Sequence, residues 1–188
     1  MTSSINPLTQ EVSLIPEDLD DTAAVLEFLE RNKSKKVIVV QGLGFVGAVM
    51  SLVCANAIGE EYAVIGIDLA NENTYWKIKS INDGLFPLVS GDPKVEEFYR
   101  RAFEKGNFLA TFDPIAYQYA DFIIVDINLD VQKQSYPSGE IRDFHVDLTP
   151  FKNAIETIGS KCREEVLILV ETTVPPGTCA KIVKPLIE

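Results

Sequence analysis

Three glycines and one acid carry the densest chemical information in this 188-residue chain. The glycines fall in the run Gly42-Leu43-Gly44-Phe45-Val46-Gly47. The β-branched run Val37-Ile38-Val39-Val40 precedes them, and an apolar stretch of helical character, Ala48 to Ile58, follows. A second β-branched run, Ala63 to Ile67, ends in Asp68. The order is strand, glycine turn, helix, strand, acid. Gly42 lets the chain turn sharply out of its strand. Gly44 has no Cβ, so a pyrophosphate can approach the backbone, and Gly47 lets the helix pack tightly on the sheet. The first N–H groups of such a helix lack intrahelical partners and lie at the positive end of its dipole, which suits a pyrophosphate. Asp68 is placed to accept hydrogen bonds from ribose hydroxyls. A carboxylate there disfavours a 2′-phosphate, and no Arg or Lys follows until Lys77, so the expected cofactor is NAD rather than NADP.

A GxGxxG pattern alone is a weak signal, because glycines punctuate many loops. Its context conditions hold here: a strand before, a helix after, and an acid about 20 residues on at the end of the next strand. A second candidate is Glu171, at the C-terminal end of the apolar run Val166 to Val170. Open α/β sheets bind ligands in the crevice outside the carboxyl ends of their strands. A partly buried carboxylate there can have its pKa raised and serve as a base. The bland alternative is a glutamate that caps the following loop.

These residues require a framework of alternating elements. Residues 1 to about 16 look irregular. A helix is expected from Pro16-Glu17-Asp18 to about Arg31, with acids at its start and bases at its end. After the second strand come helices over Asn71 to Ile81 and Pro93 to Lys105, separated by the break Asn82-Asp83-Gly84 and the loop Leu85 to Asp92. Phe108 to Phe112 reads as a strand, Asp113-Pro114 to Tyr119 as a short helix, and Phe122 to Ile127 as a buried strand. Asn128 to about Phe144 reads as a polar loop, and Asp147 to Lys161 as a helix. Val166 to Val170 reads as the next buried strand, and Thr178 can N-cap a final helix, Cys179 to Ile187. The fold class is therefore α/β: a doubly wound, Rossmann-type parallel sheet in the order 3-2-1-4-5, a single domain with an extra N-terminal helix. The division is an N-terminal extension over 1–34 and the dinucleotide-binding domain over 35–188.

Composition narrows the function classes. Apolar content of 46% and charged content of 24% are those of a globular protein. A net charge of −11 opposes nonspecific nucleic-acid binding and docking on an anionic membrane. No apolar run approaches the roughly 20 residues of a membrane-spanning helix. The N-terminus has neither a basic n-region nor an apolar h-region, so no signal peptide is expected. Cys54, Cys162 and Cys179 are few, odd in number and far apart, which fits neither a disulfide framework nor a metal site. A cytoplasmic setting is expected. His145, Tyr75 and Trp76 read as surface or packing residues, and Asp126 as a strand-end acid of the crevice.

Two further segments narrow the field: Ile81-Asn82-Asp83-Gly84-Leu85-Phe86-Pro87, and Val170-Glu171-Thr172-Thr173-Val174-Pro175-Pro176-Gly177-Thr178. With the glycine turn and Ile67-Asp68, they give the chain from about residue 36 to 188 a resemblance to the N-terminal, NAD-binding domain of the UDP-glucose/GDP-mannose dehydrogenase family. That family oxidises C6 of a nucleotide-linked hexose twice with two NAD, from alcohol through aldehyde and a cysteine-bound thioester to the uronic acid. The resemblance implies that Gly42, Gly44, Phe45, Val46 and Gly47 cradle the pyrophosphate and that Asp68 holds the ribose. It implies that Glu171 positions or activates water at the reacting carbon, with Thr172 and Thr173 beside the nicotinamide. The implied partner is a nucleotide-sugar substrate of the full-length enzyme, with homo-oligomerisation left to the full-length protein.

The chain departs from the family pattern in two places. Neither Cys162 nor Cys179 matches the position of the family's cysteine nucleophile, and the family's central and C-terminal domains have no counterpart in this sequence. Where the loop after strand four usually carries a Thr-Pro pair, this chain reads Asp126-Ile127-Asn128-Leu129-Asp130-Val131. The expected function is the NAD-binding domain of a nucleotide-sugar 6-dehydrogenase that binds NAD but does not turn over alone. The alternative is a non-catalytic NAD-binding or interaction module of the same descent. A hydroxyacid dehydrogenase with a similar first domain is disfavoured by the ETTVPPGT segment.

Overall fold

The computed structural model describes residues 2–129 and 131–188. Its frame is a five-stranded, all-parallel sheet of β3 (Lys36–Gln41), β4 (Tyr62–Ile67), β5 (Phe108–Thr111), β6 (Phe122–Val125) and β9 (Leu167–Val170), ordered β5-β4-β3-β6-β9. That is the expected 3-2-1-4-5 order. The strand order switches sides between β3 and β6, which creates a crevice at their carboxyl ends.

Helices cover both faces, as continuous apolar runs in parallel strands require. On one face, Val37 and Val39 of β3 and Ile65 and Ile67 of β4 pack under Val25 and Phe28 of α1 (Thr22–Arg31), Tyr117 of the 3-10 segment Pro114–Tyr119, and Phe151, Ile155 and Ile158 of α5 (Thr149–Lys161). On the other lie α2 (Phe45–Ala55), α3 (Tyr75–Asn82) and α4 (Pro93–Lys105), with Leu52, Ile78, Ile81 and Tyr99 among the buried side chains. Asp92 caps α4 by accepting from Lys94 N at 2.9 Å, Pro93 occupies the first turn, and Gly106 ends the helix at φ 63°.

Several elements differ from the sequence expectation. Residues 3–14 are not irregular. They form an antiparallel hairpin of β1 (Ser3–Ile5) and β2 (Val12–Leu14). Its inward side chains are polar: Ser4 Oγ donates to Glu72 O at 2.7 Å and accepts from Trp76 N at 3.1 Å, while Asn6 Nδ2 donates to Ser80 Oγ at 3.0 Å. Serine facing inward defeats the usual apolar-in reading. Helix α1 begins at Thr22 rather than near Pro16, because Asp113 Oδ2 holds Asp21 N and Thr22 Oγ1 at the helix entrance, each at 3.0 Å.

The expected polar loop after strand four contains an exposed hairpin, β7 (Val131–Ser135) and β8 (Ile141–Val146), which turns through Gly139 at φ 88°. Asp130, within the segment that departs from the family pattern, lies outside the described residues. Strand β9 is not buried as expected: it is an edge strand, and Leu167 and Leu169 remain 54% and 42% exposed. The last expected helix begins as a π-type turn, Cys179–Val183, before α6 (Lys184–Ile187). Thr178 does not cap it; its hydroxyl donates to Pro175 O at 2.7 Å.

Candidate functional site

The glycine turn is built by contacts that admit no side chain at two of its three positions. Gly42 has φ 101°, and a Cβ there would fall 2.1 Å from the carbonyl oxygen of Asp126. At Gly47 a Cβ would fall 2.0 Å from Gly42 O, so this glycine lets the first turn of α2 rest on the turn's own backbone more than on the sheet. Gly44, the residue before α2, differs: its φ is −70°, and a Cβ would meet nothing within 4 Å. Space is open at the one position where a pyrophosphate needs close approach. The first intrahelical bond runs from Ala48 N to Gly44 O at 3.0 Å, so the N–H groups of Phe45, Val46 and Gly47 precede it. Phe45 and Val46 have exposed side chains. A fourth glycine escaped the sequence reading: a Cβ on Gly66 would fall 2.5 Å from Leu43 Cδ2, and Leu43 is fully buried beneath the turn.

Asp68 stands at the end of β4 facing this turn. Its carboxylate accepts from Leu43 N at 3.2 Å and from Leu69 N at 2.8 Å. Lys77, nine residues on in sequence, is brought by α3 to 3.6 Å from Asp68 Oδ2. The sequence argument treated Lys77 as remote from the acid; the helix returns it to the site. The carboxylate at the end of β4 therefore has a cation beside it.

Gly42, Gly44, Asp68 and Lys77 line a cleft of about 650 Å³ together with Asp126 and Asn128, its far wall being the start of α5 at Thr149. A cleft of this size, mostly apolar with a few converging polar groups, suits a cofactor. Its floor holds a buried polar pair not foreseen from the sequence: Tyr117 donates its hydroxyl to Gln41 Oε1. Burial pushes that hydroxyl far above the ordinary tyrosine range. A glutamine closing an otherwise apolar strand was the available signal.

The ETTVPPGT segment lies one strand further over and does not line this cleft. Glu171 is exposed, and its N–H donates to Val125 O at 2.9 Å. Thr172 is buried; its hydroxyl accepts from Ile127 N at 2.8 Å and lies 3.2 Å from Val125 O, so it pins the exit of β6. Thr173 is exposed. The partial burial expected of Glu171 falls on Asp126 instead. Burial, then the charge of Glu171, holds the Asp126 carboxyl above the usual carboxylate range. His145 lies exposed on β8, and Trp76 packs in α3 with Nε1 donating to Asn73 O at 2.9 Å. Among the described residues no cluster of three or more His, Cys, Asp or Glu could hold a metal ion. No helix among them is long and apolar enough to cross a membrane.

The open position at Gly44, the free helix N-terminus and the acid at the end of β4 fit a dinucleotide. Residues 35–188 match the family described as the UDP-glucose/GDP-mannose dehydrogenase family, NAD binding domain. The chain is 32% identical over 154 residues to GDP-mannose 6-dehydrogenase of Pseudomonas syringae pv. syringae, a match covering 80% of this chain and 31% of that protein. It is 26% identical over 147 residues to UDP-N-acetyl-D-mannosamine dehydrogenase of Pyrococcus horikoshii, covering 78% and 31%. The crystal structure of a ternary complex of GDP-mannose dehydrogenase from Pseudomonas aeruginosa superposes with TM-score 0.61 at 31% identity, over 80% of this chain and 31% of that one. NDP-N-acetyl-D-galactosaminuronic acid dehydrogenase from Methanosarcina mazei Go1 gives TM-score 0.70 at 25% identity, over 87% and 33%. The chain thus spans about a third of the length of the relatives it matches. The chain belongs to the UDP-glucose/GDP-mannose dehydrogenase family, and residues 35–188 are its NAD-binding domain.

Proposed function

We propose that this chain is the cofactor-holding part of a nucleotide-sugar 6-dehydrogenase that oxidises a UDP- or GDP-linked hexose to the uronic acid. The observation that carries the reading is the contrast within the glycine turn: two positions closed to any Cβ, and Gly44 open to the cleft. Phe45, Val46 and Gly47 would offer backbone N–H groups to the pyrophosphate, and Asp68 would hold the ribose hydroxyls. When bound, NAD supplies the hydride acceptor. Glu171 would position or activate water at the reacting carbon. Thr172 would act by holding the β6 exit loop, and Thr173 would stand at the nicotinamide side. The names of the Pseudomonas and Pyrococcus relatives support a nucleotide-linked hexose as the substrate class. Three separated, free cysteines support a cytoplasmic setting.

The chain by itself is expected to bind NAD without turning over a nucleotide sugar. A four-electron oxidation needs a covalent thiohemiacetal to hold the aldehyde between hydride transfers, and none of the three cysteines matches the family's nucleophile. A second reading, a non-catalytic NAD-binding or interaction module, is favoured by one observation. Asp126-Ile127-Asn128 stands where the family carries its Thr-Pro pair. Calorimetric titration with NAD, followed by an NADH assay with UDP- and GDP-hexoses, tests both readings. Absence of NAD binding would overturn both. Sustained NADH formation by residues 1–188 would overturn the expected lack of turnover and redirect the search for a nucleophile to Cys179.

A further inference from the structure

One acid in the cleft is chemically out of place. Asp126 directly follows β6, and its backbone cannot retreat: its N–H donates to Gln41 O at 2.8 Å and its carbonyl presses on Gly42. Its carboxylate lies against the glycine turn, with Oδ2 3.2 Å from where a Cβ on Gly47 would stand. Oδ2 is buried and, among the described residues, has no hydrogen-bond donor. An ionised carboxylate without a donor is costly to bury.

The charged groups around Asp126 make the ionised form worse. Glu171, at the end of β9, faces it as a like charge. Across the same cleft Asp68 and Lys77 pair with each other at 3.6 Å. The glycine turn itself contributes no ionisable side chain. The N-terminal end of α2 offers an anion only a weak partial positive charge. A dinucleotide pyrophosphate requires that same helix end, so an ionised Asp126 and the ligand would be two anions sharing one weak positive pole. A phosphate brings only acceptors, so only a hydrogen on Asp126 itself turns the contact from repulsion to attraction.

Resting on the cofactor reading above, we propose that Asp126 is a cofactor-positioning residue that carries a proton whenever NAD is bound, so that binding takes up one proton. The proton comes from solvent and resides on the Asp126 carboxyl; no covalent bond to the cofactor forms. The upward push on this carboxyl by burial and by Glu171 lowers the cost of the uptake.

The test is calorimetric titration with NAD of the wild-type chain and of Asp126→Asn, between about pH 5 and pH 9, in buffers of different ionisation enthalpy. Wild-type affinity should fall as pH rises, with a slope approaching about tenfold per pH unit above the Asp126 titration. Buffer-dependent heat should report an uptake approaching one proton. Asp126→Asn keeps a donor and cannot ionise. It should bind at least about tenfold more tightly than wild type at the alkaline end, with that proton uptake removed. An Asn variant that retains the wild-type pH slope would overturn the proposal, as would flat profiles in both proteins; in either case the NAD reading survives. Wild-type binding that depends on added Mg²⁺ rather than on pH would overturn it in favour of a cation bridge. Failure of both proteins to bind NAD at any pH would remove the cofactor reading and this proposal together.

Discussion

The unit β3–α2–β4 and the unit β6–β9 occupy adjacent halves of one sheet and are built very differently. In the first, β3 and β4 are buried over nearly their whole length, and the turn between β3 and α2 is fixed by backbone contacts at Gly42 and Gly47. In the second, β9 leaves Leu167 and Leu169 largely uncovered, and β6 is followed by a segment that leads into an exposed hairpin. The first unit has what a cofactor cradle needs within its own chain. The second is open on one face, and its acids, Asp126 and Glu171, repel each other beside the cleft. The glycine turn is therefore encoded locally, whereas the acids beside the cleft are brought together from separate strands.

Substitutions of graded severity can break or sharpen this comparison. Gly42→Ala should have the largest effect. The residue sits at φ 101° and its Cβ would collide with the Asp126 backbone, so a stability loss of about 3 kcal/mol or more in urea unfolding is expected. A loss below about 1 kcal/mol would show the turn to be more pliable than its contacts imply. Gly44→Val should separate binding from folding. With φ −70° and open space around it, the variant should melt like the parent yet lose NAD affinity by about 100-fold or more, since branched carbons fill the pyrophosphate approach. Normal NAD binding by this variant would put the phosphate elsewhere.

Asp68→Ala should weaken NAD by about 1–3 kcal/mol, the scale for hydrogen bonds to a charged group. Because Lys77 stands 3.6 Å from that acid, the same variant should lose much of its preference over NADP, a competition that parallel titrations can score. A preference left intact would place the discrimination outside Asp68.

In the second unit, the Asp126 carboxyl is held above its ordinary value of 3.8 in the folded chain. Its ionised form is the disfavoured one. The stability it contributes is full below the ordinary value and is lost as pH rises through the folded one. Asp126→Asn should flatten that decline in thermal unfolding followed across the acid range. The smallest effect should come from Leu169→Ala. A half-exposed edge side chain buries little, so a change of about 1 kcal/mol or less is expected, against the 2–5 kcal/mol typical of a buried leucine such as Leu52.

Local patterning made much of this molecule legible from sequence. Parallel strands buried on both faces must be continuous apolar runs, so β3, β4 and β6 announced themselves, and α4 was bounded to the residue by Pro93 and Gly106. The glycine turn and Asp68 were equally plain, because each residue type answers a local steric or hydrogen-bonding demand. The β1–β2 hairpin was hidden because its inward side chains are serines that bond to α3, a pairing across about 70 positions that no local pattern records. The exposure of β9 depends on its place at the sheet edge, which its composition does not reveal. Lys77 reached Asp68 only through the direction in which α3 packs. The buried oxygen of Asp126, without a donor among the described residues, follows from the meeting of β6, α2 and β9. Backbone geometry and apolar periodicity act within a few residues, so the sequence by itself determined the sheet order and the cofactor turn. Electrostatic environment and exposure are sums over distant neighbours, so the tertiary structure alone decided which acids and cations face the cleft.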